Sequence, residues 1–257
     1  MGQKFANAIK ETSNSKIISV ASLDKNKIKN FKDNYNLNKV TVYNSYDEII
    51  KDKNINAIYI ATLNNTHFEL IKKCSENNKN ILCEKPFTLN YDEGREVYDY
   101  ITKNRIIFYE GFAYRSHPQT KIIKDIVQNN ELGEIKNIQS SFGFKINKIK
   151  PDSRLFNKKL GGGAILDVGC YPLSILNLFY KDPDSYKFLN TKGNLTHTNV
   201  DDFAEAEIEI NKKIRCQIKV SFKENYQNKT IIEGQKGKLI IRSNIINQLN
   251  NFAQNAV

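Results

Sequence analysis

Asp167 and Tyr171 stand four residues apart behind the run Gly161-Gly162-Gly163-Ala164-Ile165-Leu166. On a helix, that spacing sets the two side chains one above the other on a single face. A carboxylate beside a phenol at a glycine-rich mouth can serve as a proton-handling pair. The same spacing equally serves a structural bond, in which the aspartate holds a buried tyrosine hydroxyl at a helix end. Three successive glycines let the backbone turn tightly and approach another group closely. Lys85, in Cys83-Glu84-Lys85-Pro86, follows a short apolar run, and the proline holds it rigidly. Taken alone, it also reads as a solvated charge. Arg115 and His117, in Gly111-Phe112-Ala113-Tyr114-Arg115-Ser116-His117-Pro118, can meet a polar substrate or a partner domain, or act structurally. The small and amide-bearing residues of Ala61-Thr62-Leu63-Asn64-Asn65-Thr66-His67 can approach and hydrogen-bond a ribose or phosphate, while Thr66 also reads as a helix N-cap.

These residues need elements to hold them. Residues 1–14 read as a helix with no strand ahead of it, and residues 16–22 as a short, buried, β-branched strand. A helix over 25–36, a strand over 40–43, a helical turn over 46–51 and a strand over 56–61 come after it. Next are a helix over 66–78, a strand over 80–83, a helix over 90–103 and a strand over 106–109. Strands alternating with helices predict a parallel, doubly wound α/β sheet over residues 1–112, and ligands of such sheets sit beyond the carboxyl ends of the strands. The character then changes. A helix over 116–129 leads to long alternating stretches at 135–146, 203–210, 214–222, 230–233 and 238–241. Phe203, Glu205, Glu207 and Glu209 alternate with Ala204, Ala206, Ile208 and Ile210, which puts one face in a core and the other in water. Residues 113–257 therefore read as an α+β domain with an open antiparallel sheet, covered by the helix that carries Asp167 and Tyr171. The stretch beyond Ile241 is polar and is expected to pack poorly.

A chain of 257 residues, 40% apolar and 11% aromatic, can bury the cores of two domains. Its formal charge of +11 comes from lysines scattered among Asn and Ile, with no basic block or stacking motif, which argues against a nucleic-acid partner. Four dispersed cysteines and three histidines show neither zinc-ligand spacing nor a disulfide framework, so no metal is expected and a reducing, cytoplasmic setting is. No uninterrupted apolar run reaches the roughly 18 residues of a membrane span, and the N-terminus does not read as a signal peptide.

The motifs E-K-P at 84–86, G-F-A-Y-R-S-H-P at 111–118, S-R-L-F-N at 153–157, G-G-G-A-I-L-D-V-G-C-Y-P at 161–172 and F-K-E-N at 222–225 occur in that order. Through them the chain resembles the Gfo/Idh/MocA oxidoreductases, in the branch of trans-dihydrodiol and D-xylose dehydrogenases, over essentially its whole length. The resemblance implies a Rossmann domain followed by an open-sheet domain, with a nicotinamide cofactor, NADP or NAD, between them. It implies hydride transfer to or from a sugar, polyol or dihydrodiol hydroxyl. Tyr171 becomes the general acid/base, Lys85 its cationic partner, and Asp167 a group orienting substrate hydroxyls or Lys85. Gly2, Ser22, Ala61, Thr62, Asn64, His67, Glu84 and Lys85 become cofactor contacts; Arg115 and His117, with Asp167, become substrate contacts. It also implies a possible homodimer through the open sheet. The chemistry is sound: a phenol's pKa near 10 must fall by about two units, roughly 3 kcal/mol, and one close ammonium in a partly dry cleft supplies that order of energy.

The chain departs from the family pattern at its ends. No G-x-G-x-x-G occurs; Gly2 matches the last glycine of that fingerprint, and the first strand, central in such a sheet, is absent, leaving its neighbours' edges exposed. Ser22-Leu23-Asp24 replaces the family's Ser-Arg, which weakens the case for a 2′-phosphate. The chain also stops short of the family's usual end. The alternative reading is accordingly a truncated, non-catalytic remnant, or a sugar-binding or interaction protein of the same family.

Overall fold

The structure, a computed structural model, describes residues 2–37 and 39–242; the chain divides into two units, Met1–Gly111 and Phe112–Val257. Residues 243–257, expected to be polar and poorly packed, lie outside the described residues.

The first unit runs α1 (Gly2–Lys10), β1 (Ser19–Ala21), α2 (Lys25–Tyr35), β2 (Thr41–Tyr43), α3 (Tyr46–Lys51) and β3 (Ala57–Ile60). It continues through α4 (His67–Glu76), β4 (Asn80–Cys83), α5 (Tyr91–Lys103) and β5 (Phe108–Glu110). Helix starts obey local chemistry. Asp24 caps α2 by accepting from the N–H groups of Asn26 and Lys27, and Ser45 caps α3. Asn90 and Glu93 form a reciprocal box at α5: Asn90 accepts from the Glu93 N–H, and Glu93 accepts from Leu89 N. Every strand pairing is parallel, as the alternation of strands and helices requires. The strands form two separate sheets, β1-β2 and β3-β4-β5. One face of the three-stranded sheet packs Ile60, Ile81 and Cys83 against Leu70, Ile71 and Cys74 of α4, and Val97 of α5 joins the same core.

The second unit holds α6 (Pro118–Gln128), β6 (Ile135–Gly143), a π-helical turn (Ile165–Gly169), α7 (Cys170–Phe179), β7 (Tyr186–Leu195) and β8 (Asp201–Ile210). It ends with β9 (Ile214–Ser221), β10 (Lys229–Gly234) and β11 (Lys238–Arg242). Six strands form one open sheet in the order β11-β10-β6-β9-β8-β7. Contrary to expectation the sheet is mixed: β6 and β9 are parallel, and the other pairings are antiparallel. Alternation identifies faces and carries no information on partner direction. The long connection from β6 to β9 carries α7 and the β7–β8 pair, which makes a parallel return possible.

The expected faces are the observed ones. Ile208 and Ile210 are buried, while Glu205 on the outer face meets Lys192 at 2.9 Å and Lys219 at 3.0 Å. Strand β7, unexpected from its polar sequence, is almost wholly exposed and exists through its pairing with β8. Val168, Tyr171, Ile175 and Leu176 fill the inner face against Ile138, Phe142, Ile218 and Val220. Lys158–Phe179 is long and apolar enough to cross a bilayer by length and composition, but most of its apolar window is buried in this core.

Candidate functional site

The glycine run does its work inside the protein. Gly163 has φ of 122°, and a Cβ there would overlap Asp201 Oδ1; a Cβ on Gly162 would stand 2.7 Å from the Leu155 carbonyl oxygen. These close approaches set the backbone path into the π-helical turn, whose Ile165 N–H donates to Asp201 Oδ2 at 2.7 Å. Burial pushes the Asp201 carboxyl up, opposed by the backbone N–H groups of Ile165 and Ala164 that bond to it. The turn carries Asp167, and α7 carries Tyr171. A π turn widens the helix locally and recurs at functional sites.

Asp167 is 8% exposed and accepts from Arg154 Nη1 at 3.0 Å. Arg154 belongs to the S-R-L-F-N run, in which residue types alone give the arginine no role. It is the member of the constellation that sequence reasoning missed, and its only signal was the motif itself. Tyr171 is 5% exposed in an aromatic surround, with its ring centroid 5.6 Å from Phe112 and 5.2 Å from Phe142. Asp167 and Tyr171 thus share one buried stretch, one carboxylate paired with a cation and one phenol ring packed among other aromatic rings.

Arg115 and His117 have local partners. Arg115 donates from Nε to Ser174 Oγ at 3.2 Å, and its guanidinium lies 5.6 Å from the Phe112 ring centroid. Ser174 also bonds the Tyr114 hydroxyl at 2.6 Å. The His117 side chain caps α6, accepting from the Gln119 N–H, with Pro118 in the first turn. Both residues are exposed.

In the first unit Lys85 is half-buried on a loop pinned at three points. Tyr59 Oη donates to the Glu84 carboxylate, and burial and that charge together push the Tyr59 phenol up. Phe87 N donates to Glu110 Oε1 at 3.2 Å. His67 Nδ1 lies 2.8 Å from the Pro86 carbonyl oxygen and Nε2 lies 3.3 Å from that of Thr62. His67 is wholly buried. The expected cofactor contact at His67 is therefore corrected: the ring presents no surface to a ligand and instead braces the loops after β3 and β4. Asn64 stands in a single 3-10 turn, and Thr62 and Thr66 bond through their hydroxyls at 2.6 Å.

Gly2, Ser22, Ala61 and Thr62 come together on a cavity of about 490 Å³ within this unit. Its lining divides in two. At the carboxyl ends of β1 and β3, the Ser22 and Thr62 hydroxyls and the start of α1 suit a ribose and phosphate. The remainder, including Phe5, Ile9, Ile18, Val20, Ile58 and Ile60, is hydrocarbon and does not suit a charged dinucleotide. The rim therefore fits a nicotinamide dinucleotide and the floor does not. Asn64, Glu84 and Lys85 are not on the cavity lining.

Residues 1–112 match the family described as "Oxidoreductase family, NAD-binding Rossmann fold", and residues 120–240 match the GFO/IDH/MocA C-terminal domain. The trans-1,2-dihydrobenzene-1,2-diol dehydrogenase of Xenopus tropicalis is 31% identical over 231 residues, 89% of this chain and 68% of that protein. The chain belongs to the Gfo/Idh/MocA oxidoreductase family. A D-xylose 1-dehydrogenase (NADP(+)) of Haloferax volcanii is 35% identical over 144 residues, 56% of this chain and 44% of its own. Among solved structures, a 3-ketoreductase from Actinomadura kijaniata with NADP and TDP-benzene superposes with a TM-score of 0.81 at 21% identity, covering 92% of this chain and 71% of that one. The aldose-aldose oxidoreductase of Caulobacter crescentus, complexed with glycerol, gives 0.81 at 19% identity, covering 92% and 72%. These likenesses establish the Gfo/Idh/MocA fold of the chain, a Rossmann-like parallel unit followed by a separate mixed-sheet unit.

Proposed function

We propose that this family member is an NAD(P)-dependent dehydrogenase acting on a hydroxyl of a sugar, polyol or dihydrodiol, with Tyr171 as its acid/base. The observation that carries the reading is the Asp167–Tyr171 stretch: a phenol in a nearly dry aromatic surround, one helical turn from a carboxylate neutralised by Arg154. When bound, the dinucleotide supplies the hydride acceptor or donor. Tyr171 Oη takes or returns the hydroxyl proton, and Lys85 is the cationic partner that the family resemblance assigns to it. Arg154 balances Asp167, so that the carboxylate orients substrate hydroxyls without opposing ionisation of the phenol. Gly2, Ser22, Ala61 and Thr62 hold the dinucleotide at the cavity rim, with Asn64 and Glu84 beside it, and Arg115 and His117 border the substrate. The dihydrodiol and sugar classes are those named for the dehydrogenases of Xenopus tropicalis and Haloferax volcanii. All four cysteines are free, which supports a cytoplasmic setting. We further propose a homodimer through the outer face of the open sheet, the face that carries Lys192, Phe203 and Glu205.

Tyr171→Phe keeps the ring and removes the proton carrier. It is expected to lower kcat by about 100-fold or more without loss of folding, and Lys85→Met to move the acidic limb of the alcohol-oxidation pH–rate profile to higher pH. Full turnover by the Tyr171→Phe protein refutes the assignment. The split parallel sheet favours a second reading, a non-catalytic relative. Titration with NADPH and NADH separates the two: a folded second unit with no cofactor binding at millimolar concentration supports the second reading.

A further inference from the structure

The Tyr171 ring lies among three others, with centroids at 5.2 Å for Phe142, 5.6 Å for Phe112 and 6.5 Å for Tyr114. Phe142 is 1% exposed and belongs to β6 in the sheet core. Phe112 and Tyr114 have a lighter support. Phe112 precedes the single 3-10 turn Ala113–Ser116, and Tyr114 lies within it. Arg115 N donates to the Phe112 carbonyl and His117 N to that of Tyr114, which fixes the shape of the turn but not its place. So short a segment carries too few internal bonds to offset the entropy of ordering it, and side chains must tie it down.

Ser174 supplies such a tie. It follows Tyr171 by three residues on α7, so the two side chains leave the helix as neighbours. Its side chain is buried. Its Oγ lies 2.6 Å from Tyr114 Oη and accepts from Arg115 Nε at 3.2 Å, and its carbonyl oxygen accepts from Arg115 Nη2 at 3.4 Å. The Arg115 guanidinium in turn lies 5.6 Å from the Phe112 ring centroid. On the far side of the turn, Thr120 Oγ1 donates to the Tyr114 carbonyl at 2.5 Å. One hydroxyl therefore holds both rings that the turn sets against Tyr171: Tyr114 directly, and Phe112 through Arg115. Burial pushes the Tyr114 phenol up, which keeps it a neutral partner of Ser174.

We infer that Ser174 is a positioning residue for Tyr171. Its effect on turnover rests on the proposed acid/base role of Tyr171; its effect on the ring rests on geometry alone. Oη stands at the far end of the side chain, so a small rocking about χ1 swings it through a wide arc, and the surrounding rings limit that arc. A proton carrier must sit within hydrogen-bond reach of the reacting hydroxyl, and a misplacement of about 1 Å can cost about 100-fold in rate. Without the Ser174 hydroxyl, the buried Tyr114 phenol loses its partner and Arg115 loses its acceptor at Oγ. The turn is then free to draw Phe112 and Tyr114 away from Tyr171. A tightly packed ring flips only when its neighbours part, so the flip rate of Tyr171 reports how firmly the surround is held.

The test compares Ser174→Ala, which deletes the hydroxyl, with Ser174→Thr, which keeps it, in the full chain with isotope-labelled tyrosine. The Tyr171 flip rate, read from NMR line shapes, is expected to rise about tenfold in Ser174→Ala, the change that one lost hydrogen bond supports, and to stay within about threefold of the parent in Ser174→Thr. In turnover, Ser174→Ala is expected to lower kcat by about 5–10-fold with KM changed less than about twofold, and Ser174→Thr to restore kcat. A parental flip rate in a folded Ser174→Ala protein overturns the inference, as do equal rates in the Ala and Thr variants or a loss confined to KM. Should Ser174→Ala not fold, Tyr114→Phe replaces it: the ring stays, the same bond is removed from the other side, and an unchanged flip rate overturns the inference. Tyr171→Phe keeps the two readings apart. Full turnover by that variant refutes the acid/base role whatever the flip rates, whereas an inactive Tyr171→Phe protein beside a Ser174→Ala protein with parental flip rate and kcat refutes the positioning role alone.

Discussion

Replacing Gly163 by Ala tests whether the glycine run serves internal packing at the mouth of the Asp167–Tyr171 stretch. The added methyl meets two penalties. Gly163 has φ of 122°, and a side chain held in such a region costs about 1–3 kcal/mol. The methyl also overlaps Asp201 Oδ1, so the carboxylate must move and its 2.7 Å bond from Ile165 N is lost. A hydrogen bond to a charged group contributes about 1.5–3 kcal/mol. The two together come to about 2.5–6 kcal/mol, a large part of a domain's usual stability of about 5–15 kcal/mol. Thermal unfolding of the second unit should fall by on the order of 10 °C, and exchange of the Ile165 amide should accelerate with it. A double-mutant cycle with Asp201→Ala isolates the clash. In that background the methyl has no carboxylate to displace, so the Gly163→Ala cost should shrink to the conformational part, a coupling of about 1.5–3 kcal/mol. A Gly163→Ala protein within about 1 kcal/mol of the parent, or a cycle that closes additively, refutes the reasoning.

Burial and exposure fix two more outcomes. Burial pushes the Cys74 and Cys216 thiols up to about 12 and Cys83 higher still, while Cys170 is only partly buried. Ellman's reagent at pH 8 should therefore titrate Cys170 rapidly and the other three only on unfolding; equal rates for Cys216 and Cys170 contradict the packing described. Sedimentation should show a species of twice the 29.6 kDa chain mass, converted towards monomer by Phe203→Glu on the outer face of β8. A parent protein that sediments only as monomer rules out the proposed dimer.

The identity and order of the elements were legible because their causes are local. Capping residues such as Asp24, Ser45 and Asn90 stand where α2, α3 and α5 begin. The alternation along 203–210 assigned Ile208 and Ile210 to the core and the glutamates to water, since successive side chains on a strand must point oppositely.

Partnership belonged to the tertiary structure. Nothing in residues 186–195 marks a strand; β7 forms because β8 offers it an edge. No pattern announces that β6 and β9 run parallel, that the helix bearing Asp167 opens with a π turn, or that Arg154 ends against that carboxylate. His67 has the residue type of a ligand contact, yet its ring is buried between two carbonyl oxygens on separate loops. Periodicity and capping are decided within a few residues of chain, whereas the direction of a neighbouring strand and the partner of a charge depend on groups far away in sequence, which only packing brings together.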